Sequence, residues 1–267
     1  MDPLASIGIF DSGVGGLTVA QAIKQRMPDE RLIYFGDTKN MPYGEKSKEL
    51  IETYTQRITR FLIDQRCKAI VIACNSASSN ALQAINQEAP EGVKVFDLIS
   101  PVVESLSPQE NRKFGVIATR ATTQSNVYCK AIKKRCPGLE VMQMETPLLA
   151  PMIEEGLQND EIIRAAVRHY LSREELKGIE VLILACTHYS IIEKEIRDFY
   201  NNKIHLIDTP RIVADQIHKR LSKFGLLSKK LTERDLFYVS RLTKNFEHQA
   251  KIFFGEKLFL KARDLDP

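Results

Sequence analysis

Short apolar runs rich in β-branched residues alternate along the chain with longer amphipathic stretches, and this alternation is what most narrows the choice of fold. The runs cover 6–10, 32–35, 69–73, 93–97, 113–118, 140–144, 181–185 and 204–207. Near-continuous apolar runs of this length are the pattern of strands buried on both faces of a parallel sheet. Between them, stretches such as 47–65 and 161–171 repeat apolar residues every three or four positions, as helices do. Strand and helix in this order predict a doubly wound α/β architecture with mainly parallel sheets. Ligands in such sheets bind outside the carboxyl ends of the strands, so the residues just after each strand are where a site is sought.

Those strand ends repeat within the chain. Ile70-Val-Ile-Ala-Cys74-Asn75-Ser76 is echoed by Leu182-Ile-Leu-Ala-Cys186-Thr187-His188, and Ile7-Gly8-Ile9-Phe10-Asp11-Ser12 aligns with Phe114-Gly115-Val116-Ile117-Ala118-Thr119. The echo predicts two similar α/β lobes related by a pseudo-twofold, with the active site in the cleft between them and one cysteine offered by each. The lobes are expected at 1–97 and 98–208. The tail, 209–267, carries a helix pattern at 211–224, a strand-like 236–240 and a helix pattern at 244–254. That is too little for a third core, so it is expected to pack back on the first lobe. The polar run 228–235 is the linker candidate.

Composition excludes several classes. With 43% hydrophobic residues in 267, the chain can bury an ordinary core. Its longest apolar runs fall far short of the roughly 18 residues a membrane span needs, so no membrane association is expected. The N-terminus has no basic stretch followed by an apolar one, and the cytoplasm is the expected location. Cysteines 67, 74, 129, 136 and 186 are odd in number with no C-x-x-C pair, which fits free thiols rather than a disulfide framework or a zinc cluster. The 38 basic and 34 acidic residues are scattered, and the densest basic knot, Lys133-Lys134-Arg135, reads as a solvated helix face. No nucleic-acid partner is expected.

A cysteine ending a buried strand, followed by a polar residue and a helix start, lies near helical N–H groups that lower its pKa from about 8.5 toward neutrality. One such cysteine is equally a small core residue. Two in matched settings suit a reaction that needs both, in which one thiolate removes a proton from a carbon while the opposite thiol protonates the other face, inverting the stereocentre. Gly13, Gly15 and Gly16 do not fit G-x-G-x-x-G, so no dinucleotide site is supported. They allow a tight strand-to-helix turn whose N–H groups approach a ligand or simply start a helix. Asp11, matched by Thr119 in the other half, is a helix cap or a site residue, and its strand-end position favours the site. Asn75, Ser76 and Thr187 either cap helices or supply neutral hydrogen-bond donors and acceptors to a ligand. His188 is the one histidine beside a candidate thiol. Cys67, Cys129 and Cys136 have no counterpart at a strand end and read as structural.

Asp11-Ser-Gly-Val-Gly-Gly-Leu17, Tyr34-Phe-Gly-Asp37, Met41-Pro-Tyr43-Gly44, Ala73-Cys-Asn-Ser76 and Ala185-Cys-Thr-His-Tyr189 together resemble the glutamate racemases, cofactor-independent enzymes that supply D-glutamate for bacterial peptidoglycan. The resemblance runs in consistent order from Ile7 to about residue 208. It implies that Cys74 and Cys186 are the acid/base pair, Cys74 facing the proton of the D-isomer and Cys186 that of the L-isomer. It implies Asp11 and His188 as their proton-handling neighbours and Glu154 as support for the second cysteine. Substrate contacts are implied for Asp11, Ser12, Tyr43, Gly44, Asn75, Ser76, Thr187 and His188, with Thr119 and Thr122 near the α-carboxylate or its surroundings. No metal, pyridoxal phosphate or nicotinamide is implied; glutamate is the expected partner, and a homodimer is allowed but not decided. Four departures stand out: Ser76 where threonine is commoner, Ser190 where proline is usual, Asp208-Thr-Pro-Arg211 in place of a small-residue turn, and Tyr238-Val-Ser-Arg-Leu-Thr in place of a Ser-Gly-Asp stretch. The competing expectations are a relative of the same superfamily acting on aspartate or another small carboxylate, and a small-acid binding protein that has lost catalysis.

Overall fold

Every predicted run forms a strand within one residue of its expected ends. The computed structural model describes residues 1–107, 112–230, 233–255 and 258–266. Its first half comprises β1 (Ile7–Asp11), α1 (Gly16–Arg26), β2 (Leu32–Gly36), α2 (Lys48–Asp64), β3 (Ala69–Ile72), α3 (Asn75–Asn80), α4 (Leu82–Glu88), β4 (Lys94–Phe96) and α5 (Ile99–Ser105). The second comprises β5 (Phe114–Ala118), α6 (Arg120–Ser125), α7 (Val127–Arg135), β6 (Val141–Glu145), α8 (Leu149–Glu154), α9 (Glu161–Leu171), β7 (Val181–Ala185), α10 (Glu193–Phe199) and β8 (His205–Ile207). The tail adds α11 (Thr209–Lys223), β9 (Leu236–Val239), α12 (Lys244–Phe254) and β10 (Leu260–Ala262).

Two sheets result, ordered β10-β9-β2-β1-β3-β4 and β6-β5-β7-β8, and every pairing is parallel. The order β2-β1-β3-β4 recurs as β6-β5-β7-β8, so β1 corresponds to β5 and β3 to β7. The sequence echo is thus a repeated topology. In each sheet the connections reverse direction between the first strand and the third, and there the crevice at the carboxyl ends opens. Asp11 and Cys74 stand at one such point, Thr119 and Cys186 at the other.

Strand alternation divides the core. Ile7 and Ile9 of β1 share a central cluster with Leu182 and Leu184 of β7, so the facing sides of both sheets and the helices between them form one continuous core. Phe10 and Ile72 point the other way and pack with Ile51, Ile58 and Leu62 of α2. Val116 and Ile183 do the same with Tyr128 and Ile132 of α7. Each fully buried aliphatic or phenylalanine side chain stabilises the fold by roughly 1.5–3 kcal/mol.

The helix starts are locally encoded. Ser47 caps α2 by accepting from the Leu50 N–H, and Asp160 caps α9 by accepting from the Ile162 N–H. Asp208 accepts from the Arg211 N–H at 3.2 Å, with Pro210 in the first turn of α11, so the departure Asp208-Thr-Pro-Arg211 is a helix start. In the tail, β9 pairs with β2 and β10 with β9, while α11 packs on α1. Residues 231 and 232 of the run 228–235 lie outside the described residues; at its ends Ser228 donates its N–H to Glu30 at 2.8 Å, and Asp235 accepts from the Leu32 N–H at 2.9 Å. Among the described residues no helix is long and apolar enough to cross a membrane.

Candidate active site

Between the two sets of strand ends lies a tight cavity of only about 20 Å³, far below the range for ligand pockets, so the cleft stands closed down and must open to admit a ligand. The first half lines it with Asp11, Ser12, Pro42, Tyr43, Gly44, Cys74, Asn75 and Ser76. The second half contributes Thr119, Ala150, Cys186, Thr187 and His188. Both cysteines are buried, only 5% and 6% exposed, and both thiols are free. Thr122 and Glu154 are not on the wall. Thr122 sits one step back, its Oγ1 3.5 Å from Ser76 Oγ and 3.3 Å from Thr119 Oγ1. Glu154 stands behind His188.

The two cysteines are supported differently. Cys186 Sγ lies 3.5 Å from His188 Nδ1, and His188 Nε2 is 2.5 Å from Glu154 Oε1, which also accepts from the Val14 N–H at 2.9 Å. This is a sulfur–imidazole–carboxylate chain with its carboxylate anchored on the opposite half. Cys74 has no histidine; its Sγ lies 3.9 Å from Ser12 Oγ, and Asp11 is its charged neighbour. Asp11 accepts from the Gly13 N–H at 2.6 Å and from Thr187 Oγ1 at 3.1 Å. Thr187→Asp11, Val14→Glu154 and Ser76–Thr119 (2.9 Å) all cross from one half to the other and hold the cleft closed.

The glycines serve this closure. The N–H groups of Gly13 and Val14 are taken by Asp11 and Glu154, so this turn binds the protein's own carboxylates. A Cβ at Gly15 would sit 2.5 Å from His188 Nδ1 and 2.7 Å from its backbone nitrogen, and a Cβ at Gly13 would collide with the Glu154 carboxylate. Side chains are excluded there because the His188 and Glu154 side chains pass directly overhead.

A family profile described as Asp/Glu/Hydantoin racemase matches residues 17–217. The chain belongs to that family. The glutamate racemase of Neisseria meningitidis serogroup C is 38% identical over 255 residues, covering 94% of this chain and 93% of the relative. That of Aquifex aeolicus is 38% identical over 254 residues, covering 94% and 95%. The structure of glutamate racemase from Francisella tularensis subsp. tularensis SCHU S4 in complex with D-glutamate has a TM-score of 0.91 and 36% identity, with 99% of both chains covered. The chain is accordingly an isomerase, and the doubly wound fold read from the sequence is that of its family.

In this racemase, burial raises the Asp11 carboxyl to about 6, against the opposing pull of His188 and the Gly13 N–H. Burial also raises the Cys74 thiol well above its usual value, and the nearby Asp11 charge adds to this. That corrects the sequence expectation for Cys74: the Ala77 N–H and Ser12 do favour its thiolate, but desolvation outweighs them. Burial disfavours charge on His188, yet the Cys186 sulfur and Glu154 together raise its pKa well above the usual imidazole value. A protonated imidazole there is a charge partner for sulfur whenever Cys186 is ionised. Cys186 is followed by a 3-10 turn, Thr187–Ile192, rather than an α-helix.

Several contributors went unassigned in the sequence. Asp37 ends a quoted motif without a role there; it is buried, accepts from Tyr43 OH at 2.5 Å and from Asn40, and fixes the segment that carries Tyr43 and Gly44 over the cavity. The tail stretch 238–243 steadies the same segment, Ser240 Oγ accepting from the Lys39 N–H at 2.8 Å. Arg120, next to Thr119, pairs with Glu45 at 2.8 Å across the cleft mouth. Of the other cysteines, Cys67 packs against Gly8, while Cys136 and Cys129 bond to Ser107 and Gln143.

Proposed function

We propose that this racemase interconverts L- and D-glutamate by two-base proton transfer between Cys74 and Cys186. With the lobes taken as 1–97 plus 209–267 and 98–208, each lobe supplies one thiol. Starting from L-glutamate, Cys186 as thiolate takes the α-proton while the bonding electron pair stays on Cα beside the carboxylate. The Cys74 S–H protonates the opposite face, and D-glutamate leaves with thiol and thiolate exchanged. Asp11 resets the proton on Cys74, and His188 backed by Glu154 resets that on Cys186. The observation that carries this function is the arrival of two cysteines on one closed cavity from equivalent strand ends, each beside its own proton-handling group. The D-glutamate complex of the Francisella tularensis relative supports the choice of substrate. Closure excludes water from a carbanion that would otherwise be quenched unselectively. We assign the product to peptidoglycan synthesis in the cytoplasm.

The test is incubation of chelator-treated protein with L-glutamate in deuterium oxide, following optical rotation and α-deuteration together. Rotation is expected to decay with deuterium in the D-isomer formed. No change, with aspartate turned over instead, would reassign the substrate.

The pH profile follows from Asp11. Because kcat/KM reports ionisations of the free enzyme, it is expected to fall about tenfold per pH unit as the medium becomes more acidic than about 6, where the Asp11 carboxylate takes a proton. Asp11→Asn is expected to lower kcat/KM at every pH and to abolish that limb. A limb that persists in the variant would assign it to another group.

A further inference from the structure

Asn75 directly follows Cys74, lines the cavity and is 3% exposed. Its Oδ1 accepts from the Tyr128 hydroxyl at 2.7 Å, whereas its Nδ2 is buried with no hydrogen-bond partner. Tyr128 lies in α7, in the half that carries Cys186, and its side chain is fully buried, so its hydroxyl cannot turn to water. The phenol has no other hydrogen-bond partner among the described residues. These facts fix the amide's orientation. With Oδ1 toward Tyr128, one group is left over, the Nδ2 donor. With the amide reversed, Nδ2 would donate to the phenol oxygen, and both the phenol proton and Oδ1 would be stranded in a buried site. Burial keeps the phenol neutral, its pKa well above the usual tyrosine value, so it remains a donor.

We infer that Tyr128 is a positioning residue that holds the Asn75 amide with Nδ2 turned to the cavity, a donor preset for a substrate carboxylate. This rests on the proposed racemisation of glutamate and deepens it. An unrestrained amide rotates between presenting N–H, which a carboxylate accepts, and presenting oxygen, which repels it. Tyr128 removes the second state before substrate arrives, and the cost of ordering is met in folding rather than in binding. The bond joins the half that carries Cys74 to the half that carries Cys186, so the donor is set correctly only when the halves are together. Because the carboxylate is held whichever face of Cα is reacting, the effect is on binding of both enantiomers.

The experiment is steady-state kinetics in both directions on wild type, Tyr128→Phe, Asn75→Ala and the double variant, with melting temperatures of all four. Tyr128→Phe keeps the buried ring and removes only the hydroxyl. It is expected to raise KM about twofold to tenfold for both enantiomers, because the freed amide also presents its oxygen to the carboxylate, and to change kcat by less than about threefold. In the Asn75→Ala background the same substitution is expected to have no further effect on KM, which a merely structural role for the hydroxyl would not produce. Unchanged KM in folded Tyr128→Phe, or an equal rise in the Asn75→Ala background, overturns the inference while leaving racemisation intact. Absence of glutamate turnover by the wild type overturns the function and the inference with it. A second measurement needs only Asn75→Ala as an assignment control: in ¹⁵N-labelled wild type the Asn75 side-chain amide signal is expected to shift on adding D-glutamate, and an unmoved signal overturns the donor role.

Discussion

Replacing either Cys74 or Cys186 with alanine is expected to lower racemisation about ten-thousandfold in both directions, the upper range for loss of a positioned acid or base. In the proposed mechanism each turnover needs one sulfur to accept a proton and the other to give one, so neither single variant retains a path to the opposite enantiomer. For the same reason the losses do not add: the double variant is expected to be no slower than the worse single one. What survives in each is informative. With Cys186 gone, the same proposal leaves Cys74 facing the α-proton of D-glutamate, able to remove and return one from the same side, so D-glutamate is expected to exchange its α-hydrogen with deuterium oxide without inverting. With Cys74 gone, the exchange moves to L-glutamate. Proton NMR of the α-position reads both. Cys129→Ala, at a half-buried thiol away from the cavity, serves as the control and is expected to behave as wild type. Racemisation that persists in Cys74→Ala or Cys186→Ala would sink the two-base mechanism.

The parts of this molecule legible in the sequence are those whose determinants lie within one element. A buried strand advertises itself by its apolar run, and the two Ala-Cys strand ends are visible because duplication of a topology leaves like residues at like places. The Asp208 cap is local too, three residues from the N–H it accepts. What stayed hidden joins residues far apart in the chain. Val14 meets Glu154 across 140 positions, Arg120 meets Glu45 across 75 and Tyr128 meets Asn75 across 53, and no periodicity encodes such pairings. β10 is only three residues long and forms because β9 leaves an edge beside it. The Cys74 thiol illustrates a different loss. Helical N–H groups near it were readable, but the degree of burial that reverses their effect is a property of the packed cleft.

Lys68→Met is expected to destabilise the fold by about 3–5 kcal/mol, the range for stranding one member of a buried ion pair. Lys68 Nζ lies 2.6 Å from Glu30 Oε2 and 2.5 Å from the Pro3 carbonyl oxygen, and both side chains are excluded from solvent. Glu30 Oε1 accepts from the Ser228 N–H, so this one carboxylate ties together the approach to β2, the approach to β3 and the chain beyond α11. Without the ammonium it is a buried charge held, among the described residues, by a single N–H. At about 2–4 °C per kcal/mol for a chain of this size, the melting temperature is expected to fall by about 10 °C. Lys68→Met combined with Glu30→Gln removes the charge and keeps an acceptor for Ser228, and is expected to recover most of the loss. A single variant that melts with wild type would show that the pair is electrostatically idle. Activity separates this effect from catalysis. Lys68 precedes β3 and Cys74 follows it, about 20 Å away along an extended strand. Below its melting transition Lys68→Met is therefore expected to keep the wild-type kcat: the amino ends of these strands carry stability, the carboxyl ends carry chemistry, and a charge can be lost from one without disturbing a proton at the other.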